Sequence, residues 1–220
     1  MLPDSSTHPF VKICGIRNAA DAAVCAEAGA SAIGINFYPK SKRFQPLAEA
    51  QEWLADFAGG PARVALFVNA AFEEIRAAAD TALFEAIQLH GDETPDFCAA
   101  VRRLGLPVIR GLALPDSESL SLLEDHPAEA FVLDAWAPGE FGGTGRLSDW
   151  PLAIEAIRRF PDKTILLSGG LTPENVARAV GDVRPFGVDV ASGVESAPGV
   201  KDHQKIHAFV AAARSNASSL

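Results

Sequence analysis

The sequence predicts an α/β protein built as a closed (β/α)8 barrel in a single domain. Three observations carry this. Short apolar, β-branched runs alternate with longer segments of helical spacing along the chain. Several runs, Val64-Ala65-Leu66-Phe67-Val68 among them, are continuously apolar, as strands covered on both faces must be. Eight such units fit into 220 residues, about 27 each, compact but enough to close a barrel. An open doubly wound sheet is the alternative. It would favour a Gly-x-Gly-x-x-Gly turn after the first strand, and none is there.

The eight strands are expected near Phe10–Cys14, Ala32–Asn36, Val64–Val68, Phe84–Leu89, Val108–Leu112, Ala130–Asp134, Thr164–Leu167 and Gly187–Ala191. Between them the apolar residues fall at helical intervals: Phe72, Ile75 and Ala79, then Phe97, Val101 and Leu104, and last Ile206, Phe209, Val210 and Ala213. Asn18 and Asn69 are expected to cap the first and third helices, and Thr172-Pro173 to open another with proline in its first turn. Gly29 and Gly181 stand where helices should stop. The barrel is expected over residues 10–214, with a polar lead-in at 1–9 and a tail at 215–220.

Composition narrows the function. Hydrophobic residues at 48% and charged residues at 21% are the balance of a folded globular protein. No apolar run approaches a bilayer span, and residues 1–9 lack the apolar stretch of a secretory signal. With 19 basic against 28 acidic residues the net charge is −9, which disfavours nucleic acid and anionic membranes as partners. Cys14, Cys25 and Cys98 are an odd, widely spaced set without a disulfide framework, as suits a reducing cytoplasm. His203 and His207 share a helical face, but neither a zincin glutamate nor a third ligand accompanies them, so no metal site is expected.

In a barrel of this type, known as a TIM barrel, chemistry sits where strands end. Cys14 closes the first strand ahead of Gly15, where a thiolate can act as base or nucleophile. Cys25 and Cys98 lie in alanine-rich helices and read as small buried hydrophobes. Asp134 closes the sixth strand and can pair with Cys14 as acid and base across one substrate. Gly-rich turns follow the late strands: Gly142-Gly143-Thr144-Gly145, Ser168-Gly169-Gly170 and Ser192-Gly193. Backbone N–H groups there suit a phosphate in a protein that is acidic overall. After the second strand, Lys40, Lys42 and Arg43 form a basic run, and Arg43 can clamp a carboxylate with two donors.

These segments resemble, in order, the phosphoribosylanthranilate isomerase family. The likeness rests on Lys12-Ile13-Cys14-Gly15-Ile16, Phe37-Tyr38-Pro39-Lys40-Ser41-Lys42-Arg43, Leu66-Phe67-Val68-Asn69 and Gln88-Leu89-His90-Gly91. It continues through Leu133-Asp134, Gly142 to Gly145, Leu167 to Asn175 and Val188 to Glu195. The resemblance implies an Amadori rearrangement in tryptophan biosynthesis, with Cys14 as general base and Asp134 as general acid. It implies that Arg43 holds the anthranilate carboxylate. The phosphate would lie on Gly142, Gly143, Ser168, Gly169, Gly170, Ser192 and Gly193. No cofactor or metal is implied, and the expected state is a cytoplasmic monomer or homodimer of the single-function form. The histidine-pathway sister isomerase would be expected to carry a carboxylate where Cys14 stands. Trp136, after Asp134, has no assigned role.

Overall fold

The computed structural model describes residues 9–57, 59–136 and 147–215. Eight parallel strands close into a barrel in sequence order: β1 (Phe10–Cys14), β2 (Ala32–Asn36), β3 (Ala62–Phe67), β4 (Ala86–Leu89), β5 (Val108–Ala113), β6 (Ala130–Asp134), β7 (Thr164–Leu167) and β8 (Gly187–Val190). Closure comes from β1 pairing with β8, with Phe10 opposite Gly187 and Ile13 opposite Val190. Four expected spans coincide with the observed strands, and the other four differ by one or two residues, β3 at both ends and β4, β5 and β8 at one. The expected lead-in lies outside the described residues except for Pro9, and the tail except for Ser215, which ends the last helix.

Alternate residues of each strand face opposite ways, and two cores result. Outward residues such as Val11, Ile13, Ile33, Ile35, Ile87, Phe131 and Ile165 meet the helices. Inward residues Phe10, Ala32, Val64, Ala86, Ile109, Ala130, Val132 and Leu166 fill the amino-terminal part of the barrel. Towards the carboxyl end the same parity continues into polar side chains, so the apolar floor gives way to a polar mouth.

The helices are α1 (Ala19–Ala28), α2 (Leu47–Leu54), α3 (Phe72–Asp80), α4 (Pro95–Arg102), α5 (Trp150–Arg159), α6 (Val176–Val183) and α7 (His203–Ser215). Asn18 caps α1 by accepting from the Asp21 N–H at 2.8 Å, and Gly29 ends it in the left-handed region. The α7 stripe Ile206, Phe209, Val210 and Ala213 is buried as expected.

Four details depart from the sequence reading. After β5 there is no α-helix. Glu118–Leu123 forms a 3-10 helix, whose three-residue turn puts Leu120 and Leu123 on one buried side. Asn69 does not cap α3, which starts after Ala71. Instead its side-chain oxygen accepts from Asp92 N–H at 2.7 Å, tying the loop after β3 to the loop after β4. Regular α6 begins after Asn175, because Thr172 to Asn175 form a turn first: the Thr172 carbonyl accepts from Asn175 and Val176. Gly181 lies inside α6, and Arg184 at φ 53° ends that helix.

After β8 the chain makes a short antiparallel hairpin, β9 (Glu195–Ala197) with β10 (Val200–Lys201), turning through Gly199 at φ 81°. Strands of three and two residues leave no periodicity to read in the sequence.

Candidate active site

The carboxyl ends of the strands open into a cleft. Cys14, Asn36, Arg43, Gln88, His90, Asp134 and Asp189 line it, together with Ser168 to Leu171 and Val190 to Gly193. Every described residue expected to take part in binding or chemistry is therefore at one site. Gly142 and Gly143 lie outside the described residues.

Cys14 is the last inward residue of β1, after Phe10 and Lys12. Its sulfur is more enclosed than its place at a strand end suggested, with the residue 6% exposed. Burial pushes its thiol upward, and Asp189 adds to this. The positive charges of Lys12, Lys201 and Arg43 oppose the rise, Lys12 most strongly, but the net direction is up.

Asp134 sits across the mouth at the end of β6. Its Oδ1 accepts the Ala135 N–H at 2.8 Å, and its Oδ2 lies 3.4 Å from His90 Nε2. His90 Nδ1 is 2.8 Å from Gln88 Nε2. If that amide donates, the His90 proton sits on Nε2 and points to Asp134. Gln88 Oε1 then has no partner, although Gln88 is fully buried and lines the cleft.

Arg43 reaches the cleft through a folded loop. Ser41 N–H donates to the Tyr38 carbonyl at 2.9 Å, and Ser41 Oγ accepts from Arg43 N–H and from the Asn36 amide, both at 3.1 Å. Lys40 and Lys42 stay exposed, so only Arg43 of the basic run turns inward. Its fork is already engaged. Nε donates to Glu195 Oε1 at 2.6 Å and Nη2 to Glu195 Oε2 at 2.8 Å. Glu195 also accepts from Lys201 Nζ at 3.0 Å. Burial raises the Glu195 carboxyl, but Arg43 and Lys201 outweigh it and the net direction is down. For Lys201 burial prevails over Glu195, and the net direction is again down. The remaining Arg43 N–H groups are the ones left to meet a ligand.

The turns after β7 and β8 face one another. Gly169 and Gly170 have φ of 84° and 62°, and Ser192 and Gly193 open a short 3-10 segment ending at Val194. Gly193 lies so close to the first turn that a Cβ on it would be 1.8 Å from the Leu171 carbonyl oxygen.

Lys12, Gln88, His90, Asp189, Glu195 and Lys201 had no role assigned from the sequence. The first four were reachable by counting twos along the strands from Cys14, Asp134 and the apolar floor. Glu195 and Lys201 depend on the hairpin. Cys25 and Cys98 are fully buried, as expected of small hydrophobes, and burial pushes Cys25 up to about 12. His203 pairs with Asp21 at 2.9 Å. Among the described residues no cluster of His, Cys, Asp or Glu has the makings of a metal site.

Comparison with known proteins agrees with this geometry. Residues 11–212 match the model of the family described as N-(5′-phosphoribosyl)anthranilate isomerase. The isomerase of Geotalea uraniireducens is 44% identical over 204 residues, covering 93% of this chain and 98% of that protein. The isomerase of Magnetococcus marinus is 45% identical over 204 residues, covering 93% and 94%. A crystal structure of the Thermotoga maritima enzyme superposes with a TM-score of 0.85 at 37% identity, covering 94% of this chain and 99% of that one. A phosphoribosylanthranilate isomerase in complex with reduced 1-(o-carboxyphenylamino)-1-deoxyribulose 5-phosphate gives 0.82 at 36% identity, with the same coverage. With a closed barrel, a cysteine and an aspartate facing one cleft, and a family match across nearly its whole length, this chain belongs to the N-(5′-phosphoribosyl)anthranilate isomerase family.

Proposed function

We propose that this isomerase, which serves a step of tryptophan biosynthesis, works through Cys14 as general base and Asp134 as general acid. The observation that carries the reading is that both side chains face one cleft, whose rim includes the two glycine-rich turns after β7 and β8.

The substrate is an N-glycoside of anthranilate on 5-phosphoribose. Asp134 protonates the furanose ring oxygen, and the ring opens to a protonated imine. That cation acidifies the sugar C2–H. The Cys14 thiolate takes this proton, leaving an enolamine. The thiol then returns a proton at C1 as the C2 hydroxyl gives its proton to the Asp134 carboxylate and becomes a ketone, which restores both groups to their starting forms. Protons balance, and the imine nitrogen is the electron sink. Each assisted transfer is worth roughly 10²–10⁴ in rate. His90 and the Ala135 N–H hold the Asp134 carboxyl towards the cleft. The phosphate lies on Ser168, Gly169, Gly170, Ser192 and Gly193, with Gly142 and Gly143 assigned to the same subsite from the sequence. Arg43 meets the anthranilate carboxylate with the N–H groups that Glu195 leaves free.

The protein is assigned to the cytoplasm as a monomer or homodimer. Three free, buried thiols favour a reducing compartment. The Thermotoga maritima relative is a dimer from which monomers have been generated.

Loss of anthranilate-glycoside fluorescence tests the reading. Cys14→Ala and Asp134→Asn should each lose at least about two decades of kcat with KM little changed. A Cys14→Ala protein with wild-type kcat removes the base assignment. A pure KM effect in Asp134→Asn makes that residue a binding group.

A further inference from the structure

Lys12 is completely enclosed inside the barrel, directly before Cys14 in the inward series of β1. A lysine placed there without partners would give up its charge. Here Nζ donates to Asp189 Oδ1 at 2.7 Å, and its charge also acts on the nearby Cys14 sulfur. Burial pulls the ammonium down, but Asp189 and then Cys14 more than offset it, so Lys12 stays protonated.

The neighbouring strand makes room for this contact. Gly34 on β2 has no side chain where one would point into the barrel. A Cβ built on it would lie 2.9 Å from Cys14 Sγ and 3.2 Å from Lys12 Nζ. Sulfur and ammonium thus converge on the same vacant position. The other charged groups acting on Cys14 are Asp189 from β8, Arg43 from the loop after β2 and Lys201 from β10. Arg43 and Lys201 are both tied to Glu195 of β9, which draws off much of their effect.

We propose that Lys12 is a positioning residue whose ammonium allows the buried Cys14 to exist as a thiolate, and that Asp189 keeps the ammonium charged and aimed. The catalytic meaning of this contact rests on reading Cys14 as the base. Lys12 keeps its proton throughout: when the thiolate takes the C2 proton, the ammonium retains Asp189 as its partner.

Removing this charge leaves burial less opposed. Each pH unit by which the Cys14 titration climbs lowers its thiolate fraction at neutral pH by about tenfold. The test is the ultraviolet thiolate absorbance of the full chain against pH. Each protein is read as a difference from its Cys14→Ser counterpart, which cancels Cys25 and Cys98. Lys12→Met should move the Cys14 midpoint up by about one unit or more. The rising limb of kcat/KM against pH should move with it. Lys12→Arg should return both towards wild type. Should Lys12→Met fail to fold, Lys12→Gln removes the charge while retaining a hydrogen-bonding group for Asp189. A midpoint unmoved in the folded neutral variant overturns the proposal. A Cys14→Ser protein of full activity overturns the base assignment instead, and shows itself independently of the absorbance midpoint.

Discussion

Gly193→Ala perturbs the contact between the turns after β7 and β8 and nothing closer to the reacting atoms. The new Cβ would stand 1.8 Å from the Leu171 carbonyl oxygen, against ordinary contact from 3.4 Å. The two turns must therefore separate by about 1.6 Å, because the obstacle is backbone and cannot rotate away. If these turns hold the phosphate through N–H donors, a hydrogen bond of about 2.9 Å becomes a gap beyond 4 Å. A hydrogen bond to a charged group is worth roughly 1.5–3 kcal/mol. Losing one costs about one to two decades in kcat/KM. The assay is the fluorescence decay of the anthranilate glycoside, run well below the unfolding temperature of the variant. A folded Gly193→Ala protein within twofold of wild type in kcat/KM would refute the phosphate assignment for these turns.

Arg43→Ala should lose about one to two decades in kcat/KM, and Arg43→Lys should recover only part, because an ammonium lacks the fork. If Arg43 meets the substrate carboxylate, wild type should reject an analogue without that group and Arg43→Ala should treat both compounds alike; equal discrimination by the two proteins would assign the contact elsewhere. A separate expectation concerns stability in mild acid. His126 is buried against Phe131, and burial, with Arg110 and Lys163 nearby, pushes it down to about 4. Its folded value is thus below its unfolded one. The stability it contributes is complete above about 6.5 and is lost as pH falls towards 4, at most on the order of 3 kcal/mol. Urea unfolding of wild type and His126→Asn at descending pH should show the slope between these values flattened in the variant, and an unchanged slope would point to other groups.

The barrel was legible because its signal is local. Each βα unit carries its own apolar run and amphipathic segment, and every strand was placed to within two residues. Cap positions were less so. Asn18 and Gly29 act where expected, since local chemistry decides both. Asn69 and Gly181 do not, since contacts from another loop and the continuation of α6 override the local preference. At the site, Cys14 and Asp134 announce themselves as chemistry-bearing residues closing apolar strands. Lys12 did not, because a lone lysine in a strand reads as a solvated charge until closure turns it inward. The Arg43–Glu195 pair joins residues 152 apart through a hairpin with no pattern of its own, so the sequence showed the fork but not what already fills half of it.

Buried ion pairs argue about function more strongly than about stability. Replacing such a pair with matched apolar side chains is often neutral or stabilising, because desolvation consumes most of the attraction. The floor of this barrel follows that logic: Phe10, Ala32, Val64, Ile109 and Leu166 carry no charge. One step further along the same strands, Lys12 with Asp189 breaks it, as does Glu195 with Arg43 and Lys201 around the rim. A fold selected for stability alone would have continued the apolar layer upward. In a protein of net charge −9, these buried cations also create a local field opposite to the global one. The carboxylates beside them keep the cations charged and fixed without cancelling that field at Cys14, since Lys12 remains the strongest positive influence on the sulfur. The acidic surface and the cationic floor of the cleft are therefore compatible: the surface sets behaviour in bulk solvent, while the enclosed charges act over a few ångströms where water does not screen them.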